Sequence, residues 1–219
     1  MNPTNKVLKR FYFVRHGQTV DNANNVYQGM NDELNEKGKT QASLVAKRFI
    51  AIPSEIIISS DYVRTMETAG AISRFVGDPV TSSPLFRELR RPSDIIGKEK
   101  NDEFAVKVMA DIVENEPIRE WHHLDEENLF EAVKRAREAL EFLCALPESD
   151  ITIVTHEMFI KILISAMANQ DDDKAVEFYR MMRYFMIGDN TGITIAEYGS
   201  FVNDNKFRLR IWNDHTHLG

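Results

Sequence analysis

The apolar positions of this chain fall in short unbroken runs that alternate with longer stretches at helical spacing, and Phe11–Val14 is the first run. Aromatic and β-branched, and too short for a helix of ordinary length, it predicts a buried strand that stops at Arg15. From Asn35, a residue suited to cap a helix, Ala42, Val45, Ala46 and Phe49 predict a helix to about Ile50, ahead of Pro53. The three isoleucines of Glu55–Ile58 predict a second strand, with Ser59 and Ser60 offering capping hydroxyls to a helix through Val76. Pro79–Phe86 reads as a short third strand and Asn101–Glu114 as a weakly periodic helix. Leu129, Val133, Ala136, Leu140 and Leu143 mark a firm amphipathic helix ending before Pro147, with Cys144 beside the stripe. Ile151–Val154 is another strand, and Phe159, Ile162, Leu163, Ala166 and Met167 give the next helix. Ile193–Tyr198 and Phe207–Trp212 close the chain as two strands around the turn-forming Gly199–Asn205.

Such βα alternation predicts an α/β three-layer sandwich, a mostly parallel central sheet flanked by helices. No stretch reads as an interdomain linker, so a single domain over residues 1–219 is expected, with a helical cap or insertion at about 90–128. A chain of 219 residues has room for a large core without staples.

Charge narrows the field. Against 34 Asp plus Glu stand 27 Lys plus Arg, giving a formal charge of -7, which argues against nucleic acid and against a polybasic membrane binder. No apolar run approaches the roughly 20 residues that span a bilayer, and the first ten residues lack the apolar stretch of a signal peptide. The lone cysteine excludes an internal disulfide, and a reducing, cytoplasmic setting is expected.

Polar breaks carry the chemistry. Arg15, His16 and Gly17 end the first strand, Arg64 follows the second, Glu88 the third and His156 the strand Ile151–Val154. In open α/β sheets ligands bind beyond the carboxyl ends of the strands, so one crevice can collect them all. Two arginines and two histidines make a site for a compact dianion, and a carboxyl among them is useful as a proton donor or acceptor. Other fragments fail when counted out. Gly38-Lys39-Thr40 resembles a P-loop, but Glu33 stands where its first glycine belongs. His156-Glu157 opens a zinc-protease motif, but Ile160 replaces its second histidine. A thiol phosphatase loop on Cys144 needs an arginine where Asp150 stands. The pairs His122-His123 and His215 with His217 read as solvated or structural rather than metal-binding, and Asp171–Asp173 as a helix cap. Asn190 and Thr191 read as a turn. The basic cluster Arg87, Arg90, Arg91, Lys98 and Lys100 fits a solvated loop, or a contact to a second anionic group of a substrate.

In order along the chain, FVRHGQTVDN (Phe13–Asn22), QGMNDELNEKGKTQA (Gln28–Ala42), SSDYVRTMETA (Ser59–Ala69), FREL around Glu88 and IVTHE (Ile153–Glu157) resemble the motifs of the histidine phosphatase superfamily, which includes the cofactor-dependent phosphoglycerate mutases. The resemblance spans almost the whole chain and implies a phosphoglycerate mutase-like fold. It implies that His16 attacks phosphorus, that Arg15, Arg64 and His156 hold the phosphoryl oxygens with help from Asn22, and that Glu88 protonates the leaving oxygen. Gln28 and Gly29 fit either a turn or a substrate contact.

No metal and no cofactor is implied; the partners would be a small phosphate ester and inorganic phosphate as product, with a homodimer left open. Glu157 departs from the glycine common after the second histidine, and it sets a carboxylate beside the phosphate site, within reach of substrate. Met30, where a mutase has tryptophan, and Leu89-Arg90-Arg91, where a mutase has Arg-His-Tyr, favour a phosphomonoesterase. The alternatives are mutase-type transfer and a catalytically silent phosphate-binding module.

Overall fold

Strand β1 (Lys6–Arg15) sends Phe11 and Phe13 to one side of a sheet and Tyr12 and Val14 to the other. All four are buried in the computed structural model of the chain, which describes residues 6–201 and 204–219. Side chains alternate along a strand, so an unbroken apolar run requires both faces to be covered. The covering elements follow in sequence: a short α1 (Val20–Ala23), α2 (Glu36–Arg48), β2 (Ile56–Ser59), α3 (Val63–Val76), β3 (Val80–Ser82), α4 (Glu103–Asn115) and α5 (Leu129–Ala145). Then come β4 (Asp150–Thr155), α6 (Glu157–Ala168), α7 (Asp172–Phe185), β5 (Ile193–Phe201) and β6 (Asp204–Asp214). Helices α2 and α3 place Val45, Ala46, Phe49, Ala69 and Ile72 on the Tyr12 and Val14 face. Helices α5, α6 and α7 place Leu140, Leu143, Phe159 and Tyr179 on the other. This is the three-layer α/β sandwich that the alternation predicts.

The sheet runs β3-β2-β4-β1-β5-β6, parallel through its first four strands and antiparallel in β5 and β6. The four parallel strands therefore end at one edge, and each polar break of the sequence falls there.

Several boundaries differ from those read in the sequence. Ser59 completes β2, and α3 starts at Val63 behind Tyr62, which makes no side-chain cap bond. The Ser60 hydroxyl is turned instead toward His156 Nε2, 3.0 Å away, so Arg64 lies in the first turn of α3 but not on a serine-capped one. The segment Pro79–Phe86 is only briefly a strand. Beyond β3, Ser83 accepts from the Leu85 N–H and starts a 3-10 turn, Pro84–Phe86, because Pro84 has no N–H for a sheet ladder. Asp171 does cap α7, accepting from the Lys174 N–H. The closing strands run longer than predicted, and the connection at residues 202–203 lies outside the described residues. The segment Ser93–Glu126 carries a 3-10 turn and α4, with its own small core of Ile95, Ala105, Val108 and Ile112 against Tyr27 and Trp121.

One close approach fixes the loop after β1. A Cβ on Gly38 would lie 2.0 Å from the Gln18 carbonyl oxygen, and one on Gly17 would lie 2.6 Å from the Gly38 carbonyl oxygen. Backbone thus meets backbone where the start of α2 abuts the loop, which accounts for the glycine of the false P-loop. Gly38→Ala is expected to cost about 2–3 kcal/mol of stability by overpacking, read as a lowered denaturation midpoint. An unchanged midpoint would show that the loop yields.

Candidate active site

The end of β1 is held on every side. The His16 N–H donates to the Thr155 carbonyl at 3.0 Å, the Gly17 N–H to Thr68 Oγ1 at 3.1 Å, and Asn190 Nδ2 to the His16 carbonyl at 3.0 Å. Thr191 donates its N–H to the Arg15 carbonyl at 3.0 Å from a left-handed backbone, φ 62°, and its Oγ1 lies 3.0 Å from His217 Nε2. Asn190 and Thr191 are in a turn, as expected. They also fix the backbone that presents His16, which the sequence did not reveal.

On the His16 ring, Nδ1 lies 2.7 Å from the Gly17 carbonyl oxygen and Nε2 lies 3.3 Å from Arg64 Nε. One tautomer satisfies both contacts: Nδ1–H donates to the carbonyl and the Nε2 lone pair accepts from the guanidinium, an assignment made from the partners. Burial, then Arg64 and Arg15, hold the His16 pKa well below the ordinary histidine value, so the ring is neutral near pH 7.

Arg64 joins the two histidines. Its Nη1 donates to the Gly29 carbonyl at 2.6 Å and its Nη2 lies 3.4 Å from His156 Nδ1. The two imidazole rings meet edge-on with centroids 5.2 Å apart, and Tyr62 closes on His156 at 5.1 Å. Burial, then Arg64, His16 and Arg15, also hold His156 well below its ordinary pKa. Only 2% of Arg64 is exposed, and among the described residues no carboxylate lies within ion-pair distance of it. A buried cation with no counter-charge is costly, and an anion bound between His16 and His156 would relieve it.

Glu88 stands across the site at the start of α6. Its Oε1 accepts from the Leu89 N–H at 2.9 Å and the Phe159 N–H at 3.0 Å, and its Oε2 from the Met158 N–H at 3.3 Å. It is not the ion-pair partner of its arginine neighbours. Arg87 instead grips Asp61 at 2.5 Å. Desolvation in the cavity wall pushes the Glu88 carboxyl above its usual pKa, against the pull of the Leu89 N–H and Arg64. A raised carboxyl suits a proton donor near neutral pH.

Asn22, Gln28, Gly29, Arg64, Glu88 and Arg91 line one cavity of about 460 Å³. Asn22 Oδ1 is buried there without a hydrogen-bond partner. Gln28 donates its side-chain amide to Thr19 Oγ1, while Gly29 offers its carbonyl to Arg64; both are therefore structural parts of the site as well as its lining. Glu157 points elsewhere. Its Oε2 pairs with Arg15 Nη1 at 3.0 Å and its Oε1 with Lys161 Nζ at 2.7 Å, so the carboxylate meets Arg15, and it is not among the residues that line this cavity. Of the basic cluster, Arg90, Arg91 and Lys100 line the cavity; among the described residues no carboxylate lies within ion-pair distance of Arg91 or Lys100, and Arg91 Nη2 rests 3.0 Å from Met158 Sδ. The described residues hold no group of three or more His, Cys, Asp or Glu side chains that could bind a metal ion. Nor do they hold a helix long and apolar enough to cross a membrane.

Fold and site together define an α/β phosphoryl-transfer protein: two neutral histidines, two arginines and a protonatable carboxyl at the carboxyl edge of a parallel sheet. The chain belongs to the histidine phosphatase superfamily (branch 1), whose family model matches residues 11–215. "Probable phosphoglycerate mutase GpmB" of Erwinia tasmaniensis is 35% identical over 168 residues, 73% of this chain and 75% of that protein. The protein of the same name from Yersinia enterocolitica is equally similar. Among solved structures, a mycobacterial glucosyl-3-phosphoglycerate phosphatase complexed with VO3 superposes with a TM-score of 0.75 at 22% identity, covering 94% of this chain and 98% of its own. A phosphoserine phosphatase variant of Entamoeba histolytica in complex with phosphoserine gives 0.77 at 21%, covering 96% and 99%. These neighbours share the fold, and family membership makes the chain a phosphatase or phosphoryl-transfer enzyme.

Proposed function

We propose that this protein is a metal-independent phosphomonoester hydrolase that works through a phosphohistidine on His16. The observation that carries the reading is the buried, unpaired Arg64 between two neutral histidines, beside a cavity walled by a carboxyl of raised pKa. His16 Nε2 attacks phosphorus as the phosphorus–oxygen ester bond breaks, and Glu88 gives its proton to the departing oxygen. Arg15, Arg64 and His156 stabilise the equatorial oxygens. Glu88, now a carboxylate, takes a proton from water as that water attacks the phosphohistidine and releases inorganic phosphate. The dianion favours the protonated form of His156 that the empty site disfavours.

The ester carries a second anionic group. Arg91 and Lys100 bring to the same cavity positive charge that no carboxylate of the described residues pairs, and phosphoserine, named for one structural neighbour, carries a carboxylate beside its phosphate. Arg91→Met and Lys100→Met are each expected to raise KM about ten-fold for such an ester and to leave an aryl phosphate with no charge beyond its phosphate unaffected, in steady-state kinetics. An equal effect on both substrates would remove the second anion from the reading.

Mutase-type transfer is the second reading, favoured by the name of the curated relatives. A phosphoglycerate incubated with the protein separates the two. Release of inorganic phosphate, undiminished by chelator, is expected; interconversion of phosphoglycerates without release would establish the mutase. Failure to turn over any ester while binding phosphate would establish a silent module. The reading further places the enzyme in the cytoplasm, free of nucleic acid and membrane.

A further inference from the structure

The carboxylate after the second histidine is built into the fold. Glu157 reaches Lys161 one turn along α6 and Arg15 at the end of β1, and the Gly188 N–H donates to its Oε1 at 3.3 Å. A Cβ on Gly188 would come within 2.9 Å of Glu157 Cγ, so the turn before β5 leaves space for this side chain. Lys161 is 3% exposed, and its ammonium is also held by the Arg183 carbonyl at 3.1 Å. Arg15 donates from Nη1 to the Gly188 carbonyl as well as to Glu157, and its Nε is buried without a partner.

A carboxylate touching a phosphate-binding arginine opposes a dianion twice: it occupies the guanidinium and it adds like charge beside the site. A buried ammonium 2.7 Å from that carboxylate offsets both effects. We propose that Lys161 is a positioning residue for phosphoryl binding, neutralising Glu157 so that the carboxylate orients Arg15 without competing for it. Lys161 has no part in the chemical step; it meets Oε1 of Glu157, while Arg15 meets Oε2. Without it, Arg15 is, among the described residues, the only cation within ion-pair distance of Glu157, and the guanidinium is drawn away from the phosphoryl group. The inference rests on the phosphate-site reading above.

Calorimetric binding of inorganic phosphate tests it without requiring turnover. Lys161→Met is expected to weaken binding about ten- to a hundred-fold, and Glu157→Gln in the same chain to restore it to within about three-fold of wild type. Glu157→Gln alone, which keeps an acceptor for Arg15 and removes the opposing charge, is expected to bind phosphate more tightly than wild type. That variant gives a reading even if Lys161→Met fails to fold. Unchanged affinity in folded Lys161→Met, no rescue in the double variant, or weaker binding by Glu157→Gln would each overturn the proposal. A wild-type protein that binds no phosphate would overturn the phosphate site itself, a separate failure.

Discussion

His16→Ala is expected to lower kcat/KM for every phosphate ester by at least about four orders of magnitude, the scale on which loss of a covalent nucleophile is felt. No neighbouring group can replace it: His156 Nε2 lies against Ser60 Oγ and its Nδ1 against Arg64, and Glu88 is turned toward the N–H groups of α6. Wild type quenched in base after brief exposure to a labelled ester should carry phosphate on His16, and the variant should carry none. Residual turnover within ten-fold of wild type, or label on another residue, would end the phosphohistidine reading. The variant also reports on stability. A histidine whose folded pKa is depressed binds fewer protons in the native state than in the unfolded chain, so it costs stability as pH falls from about 6.5 toward its folded value. His16→Ala should remove its share of that acid sensitivity and leave the share of His156. Denaturation midpoints across that range measure the difference.

The elements of this fold were legible where one periodicity dominates. Phe11–Val14 and the isoleucines of β2 are covered on both faces, so their apolar runs are unbroken, and Leu129–Leu143 turns one clean stripe to the sheet. The boundaries that misled were those where a side chain has a second duty. Ser60 looks like a helix cap, but its hydroxyl faces His156, and Pro84 ends a strand whose composition would carry on. The site was legible as residue types at strand ends because parallel topology brings those ends together. What stayed hidden is the support around them. Thr68, one turn beyond Arg64, and Asn190, a turn residue, hold the His16 backbone through contacts of long sequence separation that carry no local pattern. Glu157 reads as an anomaly in sequence because its meaning depends on Lys161 and on the space left at Gly188.

Glu88→Gln should divide substrates by leaving group. Removing the proton donor is expected to lower kcat by about a hundred- to ten-thousand-fold for an alkyl phosphate, whose alkoxide leaves poorly, and far less for an activated aryl phosphate. With its carbonyl oxygen in the Oε1 position, glutamine keeps the acceptor for the Leu89 and Phe159 N–H groups and gives up only the longer bond from the Met158 N–H, so α6 and His156 should stay in place. The pH profile gives the independent readout. The proposed mechanism needs neutral His16 and protonated Glu88. Wild-type kcat/KM should rise as pH climbs through the depressed His16 value and fall through the raised Glu88 value. Ionisation of the substrate is common to both proteins, so loss of the upper limb in the variant isolates Glu88. Linkage sets the sign of the stability change. A carboxyl of raised pKa binds more protons in the folded state, so stability falls as pH rises from the ordinary carboxyl range through the folded value, and the full cost is present only above that value. The glutamine variant carries no such cost and should unfold at least as high in denaturant as wild type at pH 7, which separates lost catalysis from lost structure. An upper limb that survives in the variant, or an equal loss of rate on aryl and alkyl esters, would assign the proton donor elsewhere.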